Sequence, residues 1–107
     1  MPRVPSSAVD ALSGVVTEQQ WQNTVVEAAQ LLGWWVFHDH DSRRNQPGFP
    51  DLVLIRPPRV VFVELKRETG RVSPAQEEVL GMLAECPGVE SRVARPSNWS
   101  SLVEWLV

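Results

Sequence analysis

The sequence predicts an α/β sandwich, a mixed four-stranded sheet with helices on its faces. Three observations support this. Two stretches, from Thr17 and from Ser73, open with helix-capping signals and continue with apolar residues at helical spacing. Runs of β-branched and aromatic residues stand between and after them. Two of those runs are joined by Arg56-Pro57-Pro58-Arg59, which can turn one back antiparallel against the next. The predicted order is helix, strand, hairpin of two strands, helix, strand, helix.

At 107 residues the chain is expected to fold as one domain, large enough for a core but without room for a separate recognition module. Residues 1–16 read as an N-terminal arm and residues 17–107 as the domain. The arm mixes Pro2, Pro5, Ser6, Ser7 and Gly14 with Val9, Leu12, Val15 and Val16, which suggests a flexible or briefly helical segment. Its apolar residues could pack on the domain or on a second subunit. A formal charge of −3 gives no overall basic face for nucleic acid, so any such contact has to be local. The negative total does not exclude a phosphate substrate, because carboxylates gathered in one site are offset by a metal ion. Cys86 is the only cysteine, which excludes an internal disulfide and a cysteine-based zinc site and points to a reducing compartment. No apolar leader precedes Asp10 and no stretch approaches a membrane span, so a cytoplasmic protein with no membrane partner is expected.

The first helix begins at Thr17-Glu18-Gln19-Gln20, a capping box in which the Thr17 hydroxyl and the Gln20 side chain satisfy each other's backbone amides. Trp21, Val25, Ala28, Ala29 and Leu32 follow as an apolar stripe that stops at Gly33. Glu18 stands three residues before Trp21 on that stripe, where burial is costly unless the carboxylate is paired or bound to metal. A first-turn carboxylate favoured by the helix dipole is the alternative. Trp34-Trp35-Val36-Phe37-His38-Asp39 reads as the first strand. His38 and His40 would share a strand face, but nothing completes a zinc set, so they read as strand-end histidines of which one could touch substrate. Arg43 and Arg44 lie in the following loop, suited to gripping phosphate.

The hairpin gathers the chemistry. Asp51 opens the run Asp51-Leu52-Val53-Leu54-Ile55, and its return strand ends in Glu64-Leu65-Lys66. Strand alternation puts Glu64 and Lys66 on one face, ~7 Å apart at about 3.3 Å per residue, with Val61, Val63 and Leu65 on the other. Two carboxylates beside a backbone carbonyl suit Mg²⁺, a hard ion that takes oxygen ligands and keeps several waters. The chain has ten basic residues, and Lys66 is the only lysine among them. Elsewhere it uses arginine; here it has the compact ammonium whose ionisation responds readily to its surroundings, so Lys66 reads as a chemical group.

After Arg67-Glu68-Thr69-Gly70-Arg71-Val72, a turn, Ser73-Pro74-Ala75-Gln76 starts the second helix with Ser as cap and Pro at the first position. Gln76, Val79, Leu80, Met82 and Leu83 are expected on its inward side, and Gln76 either completes the cap or reaches into the site. Cys86-Pro87-Gly88 ends this helix, and residues 89–95 make the last strand. Pro96-Ser97 is expected to cap a terminal helix with Trp99, Leu102, Val103 and Leu106 inward, leaving Trp105 at the edge as a possible interface anchor.

Taken together, Pro50-Asp51, Glu64-Leu65-Lys66, the earlier Glu18 and Gln76 after Ser73-Pro74 resemble the PD-(D/E)XK nuclease superfamily. Gly48-Phe49-Pro50-Asp51-Leu52-Val53, Ser73-Pro74-Ala75-Gln76 and Arg95-Pro96-Ser97-Asn98-Trp99 are similar to its VRR-NUC family, in particular to small stand-alone phage and bacterial members. The resemblance implies a restriction-endonuclease-like core of order αβββαβα. It also implies Mg²⁺ or Mn²⁺ on Asp51, Glu64 and the Leu65 carbonyl, with Glu18 at a second ion or acting through water. Lys66 would orient or deprotonate the attacking water and Gln76 would support the site. Arg43, Arg44, Arg67, Arg71 and His38 would contact DNA.

The function expected on this basis is a metal-dependent DNA endonuclease of a bacterial or phage-infected cell, leaving 5′-phosphate and 3′-hydroxyl ends. With no recognition module it would act on structured DNA such as a Holliday junction, flap or nick. Stand-alone members suggest a homodimer, which sets two sites against two strands. A non-catalytic module of the same fold is the alternative, since fold does not establish function.

Overall fold

A computed structural model of the chain describes residues 16–38 and 46–107. The expected arm, apart from Val16, lies outside the described residues, as do His40, Arg43 and Arg44. The elements are α1 (Glu18–Leu31), β1 (Trp35–His38), β2 (Leu52–Arg56), β3 (Arg59–Leu65), α2 (Pro74–Ala84) and β4 (Val89–Ala94). A 3₁₀ turn over Pro96–Asn98 then leads into α3 (Trp99–Leu106). The sheet runs β1-β2-β3-β4; the first two pairings are antiparallel and β3–β4 is parallel, bridged by α2. This is the predicted α/β order with a mixed four-stranded sheet.

Both capping boxes form. Thr17 Oγ1 accepts from the Gln20 amide at 3.1 Å while Gln20 Oε1 accepts from the Thr17 amide at 2.9 Å. Ser73 and Gln76 repeat the exchange at 3.2 and 2.8 Å. Helix α1 stops at Gly33, whose φ of +90° is open to glycine at little cost. The expected Ser97 cap does not form. Pro96 starts the 3₁₀ turn instead, the Asn98 amide donates to the Arg95 carbonyl, and the Ser97 amide donates to Glu68 Oε2 at 3.0 Å. Helix α3 therefore begins at Trp99, without a side-chain cap.

Strand alternation sends Leu52, Leu54, Val61, Val63 and Ala94 to one face, where they meet Trp21, Val25, Ala28 and Ala29 of α1 and Trp99, Leu102 and Leu106 of α3. Trp21 and Trp99 pack edge to face at 5.8 Å, and their neighbours are fully enclosed. Burying such side chains contributes about 1.5–3 kcal/mol each, so this layer holds most of the fold's stability. Two of its tryptophan Nε1 groups bond to backbone, Trp21 to the Ala94 carbonyl at 3.0 Å and Trp34 to that of Leu106 at 2.9 Å, while that of Trp99 is buried without a partner. Arg56 binds the Leu32 and Val107 carbonyls, both at 2.8 Å, placing a cation at the C-terminal ends of α1 and α3.

The other face is covered less completely. Helix α2 packs along β4 and buries no residue fully; Val79, Leu80 and Leu83 are half-buried, and Met82, expected inward, is exposed. On β1, Trp35 and Phe37 stand exposed beside Ile55 and Val53. Trp105 is not an exposed anchor: its Nε1 donates to Glu90 Oε1 at 2.9 Å, and the Arg92 guanidinium lies 4.6 Å over its ring.

Candidate active site

The site is built where the start of β2, the end of β3 and the first turns of α1 and α2 converge. Gly48 makes one of these approaches possible. Its φ is +88°, and a Cβ there would stand 2.2 Å from the Ala75 carbonyl oxygen, so only glycine lets this loop close on the first turn of α2. Two residues on, the buried Pro50 delivers Asp51 to the sheet. Asp51 Oδ2 accepts from the Leu65 amide at 2.8 Å, which pins the carboxylate to the end of β3.

Glu64 is only 1% exposed. One of its oxygens, Oε2, accepts from Gln76 Nε2 at 2.8 Å, while Oε1 is buried with no hydrogen-bond partner. Gln76 thus does both things open to it, since its Oε1 completes the Ser73 cap while its amide nitrogen holds Glu64. Glu18, Trp21, Gln22, Asp51, Glu64, Leu65, Lys66 and Gln76 line a cleft of about 180 Å³. Glu18 is exposed in the first turn of α1, so the burial cost anticipated for it does not arise. Gln22 was not anticipated; it follows Glu18 by one helical turn, the spacing that would have revealed it.

A profile of the VRR-NUC domain matches residues 13–98. The chain belongs to the VRR-NUC family. A solved structure described as a VRR_NUC domain is similar to it, with a TM-score of 0.66 and 26% sequence identity over 81% of this chain and 94% of that one. No curated protein matches. VRR-NUC is a nuclease-type domain, and in this member the six cleft residues predicted from sequence, Glu18, Asp51, Glu64, Leu65, Lys66 and Gln76, come together.

The other predicted residues of this VRR-NUC chain lie elsewhere. His38 ends β1 opposite Leu52, so alternation puts it on the opposite face from Asp51 and outside the cleft lining. Arg67 and Arg71 are exposed on the segment after Lys66, with no ion pair among the described residues. Neither lines the cleft.

The electrostatics follow from the packing. Burial pushes the Glu64 carboxyl up to about 8; the neighbouring Asp51 carboxylate adds to this and the Lys66 ammonium partly opposes it. Oε1 meets no donor among the described residues, so it calls for a cation or for a proton shared with the neighbouring Asp51 carboxylate. The surrounding donors are hard: two carboxylates and the Leu65 carbonyl, the set from which Mg²⁺ binds while keeping waters for its remaining positions. Among the described residues no three acidic, histidine or cysteine side chains form a cage by themselves, and Glu18 stands apart from the pair. The residues present fit a cation that shares its coordination with water and phosphate.

Proposed function

We propose that this chain is a DNA endonuclease, dependent on Mg²⁺ or Mn²⁺, that hydrolyses phosphodiester bonds in structured DNA such as a Holliday junction, flap or nick. The observation that carries this reading is the Glu64 carboxyl, buried with one oxygen unpartnered beside Asp51 and the chain's only lysine. Asp51, Glu64 and the Leu65 carbonyl would hold the cation, with Glu18 contributing through water or at a second ion. Such a cation supplies Lewis acidity, polarising the phosphate and favouring ionisation of a water.

The protein's own groups do the rest. The Leu65 amide holds Asp51 and the Gln76 amide holds Glu64, so both carboxylates are oriented before substrate arrives. Lys66 Nζ orients the attacking water and donates to the non-bridging phosphate oxygens. Arg67 and Arg71, exposed beyond Lys66, supply sequence-independent phosphate contacts; Arg43 and Arg44 are assigned the same role from sequence. Two copies acting together would set two clefts against two strands. The exposed Trp35, Phe37 and Phe49 support such a homodimer: they lie on or beside an apolar patch of Val53, Ile55 and Phe62, on the sheet face that carries Asp51 and Glu64 farther along.

The test is cleavage of a synthetic four-way junction beside matched flap, nicked, duplex and single-stranded DNA, with Mg²⁺, Mn²⁺ or EDTA, using wild type and Asp51→Asn. Paired, metal-dependent cuts at the junction that Asp51→Asn abolishes are expected. Cutting confined to other substrates would discard junction resolution. No cutting of any substrate with either metal would leave a non-catalytic nucleic-acid-binding module.

A further inference from the structure

Between Lys66 and Ser73 the chain forms neither helix nor strand, yet both ends of this segment carry the site: Lys66 at one, and Gln76 in the helical turn that follows the other. The segment is held from outside. Nη1 of Arg95, the residue after β4, donates to the carbonyl oxygens of Arg67 at 2.8 Å, Glu68 at 3.3 Å and Gly70 at 2.6 Å. The Gly70 amide closes the turn on the Arg67 carbonyl at 3.1 Å, and the Ser97 amide fastens the Glu68 carboxylate. The gripped turn lies beside the lysine stem without touching it through a side chain: a Cβ, which Gly70 lacks, would come 3.6 Å from Lys66 Cδ. On its other side Lys66 is tied through its own amide to the carbonyl of Ala94, the residue before Arg95, at 3.0 Å.

We propose that Arg95 is a positioning residue for Lys66, a role that rests on the nuclease reading above: by gathering three carbonyls of the 67–70 turn it fixes the backbone that directly follows Lys66 and runs beside its stem, and so holds the lysine at the cleft. The chemistry suits arginine. One nitrogen at the tip of the planar guanidinium fork, Nη1, shares its two N–H groups among the three carbonyls, and a charged donor bonds carbonyls more strongly than a neutral one. Among the described residues Arg95 has no carboxylate partner that would draw it elsewhere, since Glu68 is engaged by Ser97.

Because Lys66 is the only lysine, protein labelled with ¹³C-lysine reports a single lysine side chain. The experiment measures ¹³Cε relaxation of metal-free protein together with single-turnover cleavage of DNA in Mg²⁺. It compares wild type, Arg95→Ala and Arg95→Lys, with each variant also made in a Lys66→Ala background. Arg95→Ala is expected to free the Lys66 ε-methylene on the nanosecond timescale and to lower the cleavage rate at saturating DNA tenfold or more. The Kd for DNA should stay within twofold, and no further loss should occur in the Lys66→Ala background. Arg95→Lys, which keeps charge without the fork, should move both readouts the same way by less, and carries the comparison if Arg95→Ala does not fold. Unchanged Lys66 relaxation in the folded variants, or an equal rate loss with and without Lys66, would overturn the proposal. A wild type that cuts no DNA would overturn the nuclease reading alone, since the relaxation measurement decides the positioning by itself.

Discussion

Replacing Glu64 with Gln keeps the shape of the buried carboxyl but removes its ionisation. The side-chain oxygen can still accept from Gln76, and the new amide has the Asp51 carboxylate beside it. In the wild type the Glu64 carboxyl ionises at about 8 in the folded state, against 4.5 without the surrounding fold, mainly because burial disfavours the charge. Between those two pH values the folded chain binds a proton that the unfolded chain has released, so stability falls as pH rises. The contribution is intact below 4.5, declines through the window and is gone above about 8. At 1.36 kcal/mol per pH unit the full window amounts to at most roughly 5 kcal/mol. Urea unfolding in EDTA at pH 5, 6.5 and 8 should show wild type weakening steadily by this order, while Glu64→Gln stays nearly flat and is the more stable protein at pH 8. Adding Mg²⁺ at pH 8 should recover wild-type stability and do little for the variant, since a ligand that binds only the folded state stabilises it by mass action. Equal pH slopes in the two proteins would refute the claim that Glu64 is buried as a neutral acid, and with it the strongest reason to place a cation there.

Other substitutions probe the remaining parts. Asp51→Asn should lose cleavage by about a hundredfold or more while denaturing near wild type, because it keeps an acceptor for the Leu65 amide. Asp51→Ala should lose a further 1–3 kcal/mol or so in urea unfolding, because it leaves that amide unpaired. Lys66→Arg should retain DNA binding in a gel-shift assay and lose most cleavage, since the planar guanidinium does not reproduce the compact ammonium; full activity would remove Lys66 from the chemistry. Gly48→Ala should destabilise by about 1–3 kcal/mol from its left-handed backbone alone. Its Cβ also meets the Ala75 carbonyl, so activity should fall as Asp51 and Gln76 separate. Trp35→Glu should shift a homodimer to monomer in sedimentation; an unchanged mass would exclude this sheet face as the interface.

What could be read from the sequence was whatever local chemistry decides. Thr17-Gln20 and Ser73-Gln76 announced their helices because a capping box satisfies backbone amides within four residues, whatever surrounds it. Pro57-Pro58 announced the hairpin, and period-two alternation placed Glu64 on the face opposite Val61 and Val63. What escaped depends on how elements meet. The depth of Glu64 comes from α2 closing over it through Gly48, and no spacing along β3 reports that. Met82 was misjudged because a helix lying over the end of a sheet buries a narrower stripe than one over its centre. Ser97 and Glu68 find each other across 29 positions, so neither Ser97's failure to cap nor the grip of Arg95 on the 67–70 turn leaves a local trace. Trp105, free by helical period alone, is enclosed by Glu90 and Arg92 of a strand whose register the helix pattern does not contain.

The two faces of the sheet divide the work of the molecule. The fully buried apolar side chains among the described residues lie in α1, α3, the strands and the α1–β1 turn, with Pro50 and Pro96 beside them, and none lies in α2. Opening α2 therefore exposes Glu64 but no fully buried apolar side chain of its own, and costs less than opening the α1–α3 layer, which puts α2 and the segment leading into it at the low-stability end of the fold. Yet Glu64 depends on that helix for the Gln76 bond that orients it. The rigid parts of the cleft, Asp51 on the Leu65 amide and Trp21 in the core, are thus set against a part that can yield. Arg95 is placed at that boundary, anchored after β4 and holding the segment that leads from Lys66 into α2.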